Sequence, residues 1–280
     1  MSHPDRYRLA GVMGDPVLHS RSPMLHNYWL AEHGLSGIYV PLAIKPDGLQ
    51  AALRALPSLG FSGCNLTIPH KEAALRIVDT ADEMARRIGA INCVVVGADG
   101  RLHGRNFDGF GYIESVLEAR PDWRTDAGPI VVLGAGGGAR AILAALASRG
   151  ASEIRLVNRT FERADALAQE FGAPITAVAW AERHAAMAGA AMLINTTSQG
   201  MSGQRSLDVD LDTLPKTALV SDIVYFPRET ALLAAARQRG NPVVHGLGML
   251  LHQARPAFEA WFGIMPTVTP ELRRLIEATI

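Results

Sequence analysis

Cysteine is scarce in this chain, with two in 280 residues. Two cysteines cannot build a disulfide framework, and neither Cys64 nor Cys93 stands in a zinc-ligand spacing. Both fall in apolar, strand-like runs, where a thiol serves as a small buried side chain. No metal site is expected. An excess of either charge is absent too: 27 Lys and Arg balance 27 Asp and Glu. That leaves no overall basic character for binding nucleic acid. With 48% apolar residues, the composition also lacks the low hydrophobicity and high net charge of a disordered chain. No apolar run reaches the roughly 18 residues of a membrane span, and the first residues carry no apolar signal core. Repeats and low-complexity segments are missing. These absences leave a cytoplasmic α/β protein without membrane or nucleic-acid partners, long enough for about two domains at roughly 150 residues each.

What is present is alternation. Short β-branched runs are read as strands at 8–14, 38–44, 63–68, 91–96, 130–134, 153–158, 175–178, 192–195, 218–224 and 242–244. Helical patterns at 23–33, 139–149, 163–171 and 230–239 lie between them, each followed by a glycine suited to a left-handed cap: Gly34, Gly150, Gly172 and Gly240. Thr80-Ala-Asp-Glu83 has capping-box spacing and predicts a helix to Ile88. Such alternation argues for parallel sheets with crossover helices. The polar, Pro/Gly-marked stretch 120–129 reads as a connection into a second domain, entered through a helix over 108–119. Helices at 248–262 and 270–279 follow the last strand and are expected to pack back on the first domain.

The segment from Pro129 to Ala139 carries the strongest local signal. An apolar strand runs into Gly134, Ala135, Gly136, Gly137 and Gly138, and an alanine-rich helix follows. Glycines permit a tight turn and let backbone N–H groups approach a pyrophosphate, while the helix N-terminus adds a positive dipole. An NAD site places an acid at the end of the next strand for the ribose 2′-hydroxyl. Here Asn158 and Arg159 occupy that end, followed by Thr160 and, a turn on, Arg163. A guanidinium in place of an acid suits a 2′-phosphate, so NADP is the expected cofactor.

Polar clusters follow several first-domain strands. Ser20 and Ser22 precede Pro23, which suits a helix N1 position, with Ser22 as N-cap or as a carboxylate ligand beside Ser20. Asn65, Thr67, Pro69 and Lys71 follow the third strand. Lys71 stands at a helix start, where a cation opposes the macrodipole. Asn92 interrupts an otherwise apolar strand. Asn106-Phe107-Asp108 opens the connecting helix, with Asp108 as N-cap or functional acid.

Taken in order, these motifs resemble the shikimate dehydrogenases. The matching segments are 14–23, 65–71, 89–92, 134–139, 158–160, 195–201 (Asn-Thr-Thr-Ser-Gln-Gly-Met), 222–227 and 246–253, and together they cover essentially the whole chain. The resemblance implies reversible NADPH-dependent reduction of 3-dehydroshikimate to shikimate. It implies two α/β domains: a discontinuous substrate domain (1–108 with 247–280) and a Rossmann-type NADP domain (109–246), with the active site in the cleft between them. It further implies Lys71 and Asp108 as the catalytic pair, and Ser20, Ser22 and Tyr225 on the substrate carboxylate. Thr67, Asn92, Asp108 and Gln253 fall on ring hydroxyls. NADP contacts fall on 134–138, 158–163, Ile223, Gly246 and Glu83. Departures are Phe107 and Cys93, each where the family has Thr. His19, Arg21 and Arg105 are read as solvated surface charges. The alternatives are a quinate or quinate/shikimate paralogue, and an inactive dinucleotide-responsive binding protein. A monomer or homodimer is expected.

Overall fold

Strands that are apolar on every residue must be covered on both faces, and that requirement organises the chain. The computed structural model describes residues 7–280, and these divide into two compact units, 7–107 with 253–279, and 108–252 with 280.

The first unit begins with β1 (Arg8–Gly14), α1 (Ser22–Glu32), β2 (Gly37–Ala43), α2 (Leu49–Ala55), β3 (Phe61–Leu66) and α3 (Lys71–Leu75). It continues with β4 (Thr80–Ala81), α4 (Glu83–Ile88), β5 (Cys93–Val96) and β6 (Leu102–Arg105). The sheet order is β2-β1-β3-β5-β6-β4. β1 pairs in parallel with β2 and β3, whereas β5 runs antiparallel to β3 and to β6. The sheet is therefore mixed rather than purely parallel. The link 97–101 between β5 and β6 is too short for a crossover helix, so only a hairpin fits.

The capping expectation at Thr80 is corrected. Thr80 and Ala81 form β4, and Asp82 caps α4 by accepting the Ala85 N–H at 2.7 Å. Ser22 is not a cap either. It is the first residue of α1, after Arg21, and its own N–H is held at 3.2 Å by the Ser20 hydroxyl.

The second unit contains α5 (Asp108–Ala119), β7 (Ile130–Leu133), α6 (Gly137–Ser148), β8 (Ile154–Asn158), α7 (Phe161–Phe171) and β9 (Ile175–Ala179). It is completed by α8 (Arg183–Ala186), β10 (Met192–Asn195), β11 (Leu219–Asp222), α9 (Ala231–Arg239) and β12 (Val243–Val244). All six strands are parallel, in the order β12-β11-β10-β7-β8-β9. Renumbered from β7, that is the doubly wound order 3-2-1-4-5-6, whose switch point lies between β7 and β10. Alternate residues of β7 feed separate cores: Ile130 and Val132 join Ile142, Leu156 and Ile194 on one face, while Val131 and Leu133 join Leu193, Val220 and Leu233 on the other.

The division between units falls inside α10 (Leu247–Phe262), and α11 (Pro270–Glu277) packs on α1 within the first unit. The Trp29 indole donates to Thr267 O at 2.9 Å, and Arg8 donates to Trp261 O at 3.0 Å. Among the described residues no helix is long and apolar enough to cross a membrane.

Candidate active site

In the second unit, β7 leads into Gly134, whose φ of 105° is open to glycine and strained for other residues. A Cβ there would sit 2.8 Å from Thr196 Oγ1. Gly136 and Gly137 are exposed, and a Cβ on either would meet nothing within 4 Å. No side chain caps α6. Its first N–H groups therefore face open space over bare backbone, a cradle that fits a dinucleotide pyrophosphate. At the end of β8 the Asn158 amide donates to Thr160 O at 2.7 Å, which fixes the turn. Arg159 and Arg163 are exposed, and neither guanidinium bonds any described residue. Both are left available to an added phosphate. Gly138 and Gly246 approach the segment after β11: a Cβ at Gly138 would lie 3.0 Å from Ile223 Cδ1, and one at Gly246 would lie 2.4 Å from Ile223 O. Of the other expected cofactor contacts, Ala135 is half-buried within the turn, Thr160 is exposed, and Glu83 is exposed in the first turn of α4.

In the first unit Asn92 is the hub. Its carbonyl accepts the Leu66 N–H at 2.9 Å and the Asn65 side-chain amide at 3.0 Å. Its own Oδ1 accepts the Phe107 N–H at 2.9 Å, and its Nδ2 donates to Gln253 Oε1 at 3.2 Å. One residue earlier, the Ile91 N–H donates to Lys71 O at 3.0 Å, and two residues earlier Ala90 O accepts the Asn106 amide at 2.9 Å. Thr67 is tied by its N–H to Met13 O and by its carbonyl to the His70 N–H. The Asn92 amide thus binds Gln253 and the residue preceding Asp108 directly, and the backbone of Leu66 and Ile91 ties in the segments that carry Thr67 and Lys71. Lys71 is half-buried and is the first residue of α3; Asp108 is 6% exposed and is the first residue of α5. Ser20 is half-buried on the loop after β1, and Ser22, the first residue of α1, is buried. Tyr225 is half-buried on the loop after β11.

Behind the hub, the Tyr39 hydroxyl donates to Asn65 Oδ1 at 2.7 Å. Burial raises that phenol well above its usual pKa, against a lowering hydrogen bond from Ser22. His26 stacks on Tyr39 at 4.1 Å, beside Trp29, Phe258 and Trp261. Burial lowers its pKa to about 3. Neither ring nitrogen makes a hydrogen bond of normal geometry, although Asn65 is near enough to favour the charged form slightly.

Three further readings are resolved. Burial raises the Cys64 and Cys93 thiols far from the reactive range, so both are core side chains, and Cys93 lines no opening. Phe107 is half-buried. Arg21 is not a solvated surface charge: it is half-buried and donates to the carbonyls of His19 and Thr279. Tyr39 and Thr230 are not singled out in the sequence, and Asn195 and Asp222 open matching segments without a role assigned to them. Asn195 and Asp222 each end an apolar strand of the doubly wound sheet, which was the available signal. Among the described residues, no group of three His, Cys, Asp or Glu side chains is placed to hold a metal ion.

A doubly wound sheet with an unobstructed glycine turn at its switch point and unspent arginines beyond the second strand is the architecture of an NADP-dependent oxidoreductase. The comparisons with known proteins narrow the class. The shikimate dehydrogenase substrate binding domain matches residues 12–94, shikimate / quinate 5-dehydrogenase matches 119–224, and the shikimate 5′-dehydrogenase C-terminal domain matches 246–269. Shikimate dehydrogenase (NADP(+)) of Paramagnetospirillum magneticum is 56% identical over 269 residues, covering 96% of this chain and 98% of the relative. Among solved structures, shikimate 5-dehydrogenase from Thermus thermophilus in complex with NADP(H) and shikimate aligns with a TM-score of 0.87 and 35% identity, over 98% of this chain and 100% of that one. Quinate dehydrogenase from Corynebacterium glutamicum in complex with NAD aligns with a TM-score of 0.91 and 31% identity, over 98% and 100%. The chain belongs to the shikimate dehydrogenase family.

Proposed function

We propose that the chain catalyses the reversible, NADPH-dependent reduction of 3-dehydroshikimate to shikimate, in the cytoplasm, as a monomer or homodimer. When bound, the dinucleotide supplies a hydride to the ketone carbon. Negative charge then develops on the carbonyl oxygen, and the Lys71 ammonium beside it stabilises that charge and donates the proton. In the oxidation direction the neutral amine takes the proton back. Asp108 orients the ammonium and accepts a hydrogen bond from the reacting hydroxyl. Ser20, Ser22 and Tyr225 hold the carboxylate, while Thr67, Asn92 and Gln253 hold the ring hydroxyls. Gly134, Ala135, Gly136, Gly137 and Gly138 cradle the pyrophosphate. Asn158, Arg159, Thr160 and Arg163 surround the 2′-phosphate, and Ile223, Gly246 and Glu83 complete the cofactor set.

The observation that carries this reading is the Asn92 hub: its buried amide bonds Gln253 and the residue before Asp108, while the backbone neighbours Leu66 and Ile91 tie in the segments that carry Thr67 and Lys71. A small polyol acid needs many convergent polar groups of this kind. Initial rates with shikimate and with quinate, each with NADP and with NAD, test it. Shikimate with NADP is expected to give the highest kcat/KM. Preference for quinate with NAD would assign the chain to the paralogous activity, and absence of turnover with all four pairs would leave a binding protein.

A further inference from the structure

Asp222, at the end of β11, has no part in the chemistry above, yet it is 1% exposed and its carboxylate is fully engaged. Oδ1 accepts the Asn195 side-chain amide at 3.0 Å and the Val224 N–H at 2.9 Å. Oδ2 accepts the Thr230 hydroxyl at 2.8 Å. Thr230 in turn caps α9, its Oγ1 accepting the Leu233 N–H. One carboxylate therefore grips both ends of the segment 223–230, which carries Tyr225. Burial alone disfavours a charged carboxylate, and these three donors oppose that penalty. They are also a reason for an acid to stand where an apolar residue would otherwise end the strand.

The grip continues to the switch point. The Ile223 N–H donates to Asn195 O at 3.1 Å. Asn195 Oδ1 accepts the Thr197 N–H and hydroxyl, and the next residue, Thr196, donates its hydroxyl to Leu133 O at 2.7 Å, at the end of β7. The base of the loop is thus fixed to the strand that enters the glycine turn. Beyond Tyr225, Phe226, Pro227 and Arg228 are exposed. The loop's outer part is held by backbone ties such as Ser202 N–H to Phe226 O and by a contact between His245 Nδ1 and Arg228 O.

We propose that Asp222 is a positioning residue for substrate: with Thr230 it clasps the 223–230 loop and so places the Tyr225 phenol for the substrate carboxylate. The inference rests on the reading of Tyr225 as a carboxylate ligand. Unclasping spreads the phenol over more positions, and the apparent substrate affinity falls by the fraction of time it is correctly placed.

The experiment compares Asp222→Ala, Thr230→Val, Thr230→Ser, Tyr225→Phe and the double variant Thr230→Val/Tyr225→Phe, with shikimate and NADP, well below each variant's melting temperature. Thr230→Val keeps the side-chain volume, so it tests the clasp even if Asp222→Ala does not fold. Thr230→Val is expected to raise KM for shikimate about tenfold, the worth of one hydrogen bond to a charged group. KM for NADP and kcat should change little, and amide exchange over 223–229 should accelerate. Thr230→Ser, which keeps the hydroxyl, should behave like the parent. In the Tyr225→Phe background, Thr230→Val should add almost nothing to KM. A normal KM in Thr230→Val, alongside a raised KM in Tyr225→Phe, overturns the clasp while sparing the reading of Tyr225. Additive effects in the double variant overturn it too. A normal KM in Tyr225→Phe removes the reading of Tyr225, and the proposal with it.

Discussion

The dinucleotide turn of the second unit is made of backbone, and its working feature is what has been left out: no Cβ on Gly136 or Gly137, no cap on α6, no partner for Arg159 among the described residues. The polar centre of the first unit is made of side-chain amides that satisfy one another, with Asn65, Asn92, Asn106 and Gln253 joined to backbone or to each other. A site built from vacated space tolerates change in stability terms and is spoiled by added bulk. A site built from interlocking amides is spoiled by removal, because each lost partner leaves another buried polar group short of a hydrogen bond.

The largest effect expected on either side of this contrast is chemical. Lys71→Met should lower kcat roughly 10²–10⁴-fold, the range for losing general acid–base catalysis, with a much smaller change in KM. Asp108→Asn should be similarly severe, and the double variant less than multiplicative, since the two act as one unit. Steady-state rates decide it. A near-normal kcat with a large KM defect would reduce Lys71 to a binding charge.

Gly136→Val tests the vacated space directly. Gly136 has φ −103° and ψ −171°, a backbone that valine adopts readily, and nothing lies within 4 Å of its would-be Cβ. The melting temperature without ligand should stay at the parent value. NADP affinity should fall by at least about 10²-fold, equivalent to two hydrogen bonds to a charged group at about 1.5 kcal/mol each. Calorimetric titration and thermal melting read the two quantities separately. Asn92→Ala should do the reverse, lowering stability by about 1–3 kcal/mol as the Phe107 N–H and Gln253 lose their partner. A Gly136→Val chain that melts early with normal NADP binding would erase the distinction between the two kinds of site.

Arg159→Ala sharpens the same contrast at the end of β8. The side chain bonds nothing described, so its loss should leave the fold intact. NADP binding should weaken by about 1.5–3 kcal/mol, with NAD binding nearly unchanged. Equal weakening of both cofactors would make Arg159 a general support of the turn.

How much of this was legible in the sequence follows from the same difference. The glycine turn is contiguous, and its strand, glycines and helix announce themselves within about a dozen residues. The ends of β7 and β10 could be placed nearly to the residue, because strands buried on both faces read as apolar runs. The hub is dispersed: Asn65, Asn92, Phe107 and Gln253 are joined only by the fold, and family resemblance named residues there that spacing alone could not. The mixed sheet was hidden because β6, Leu-His-Gly-Arg, has no apolar run to mark it. Thr80 imitated a cap because sequence spacing cannot tell a strand end at 80–81 from a helix start. Asp222 and Thr230 received no role because a carboxylate's partners, here two to 27 residues away in the chain, carry no local signature.

The smallest expected effect concerns the apolar backing of the hub. His26 lies among Trp29, Tyr39, Phe258 and Trp261 with its pKa lowered to about 3 by burial, against 6.5 for the unperturbed side chain. The unfolded chain therefore binds a proton that the folded one refuses. Below pH 6.5 and above about 3, stability falls as pH falls, by about 1.4 kcal/mol per unit for this one group. Above 6.5 both states hold it neutral and the dependence vanishes. Phenylalanine has a ring of similar footprint and no proton to refuse. Urea denaturation at about pH 7, 6 and 5, followed by tryptophan fluorescence, should show His26→Phe near the parent at the highest pH and progressively more stable than it at the lower values. Parallel lines for parent and variant across that window would mean that water or a shifted Asn65 amide reaches the ring and lets it titrate normally; the aromatic backing would then be a looser support for Tyr39 and Asn65 than the 4.1 Å stack implies.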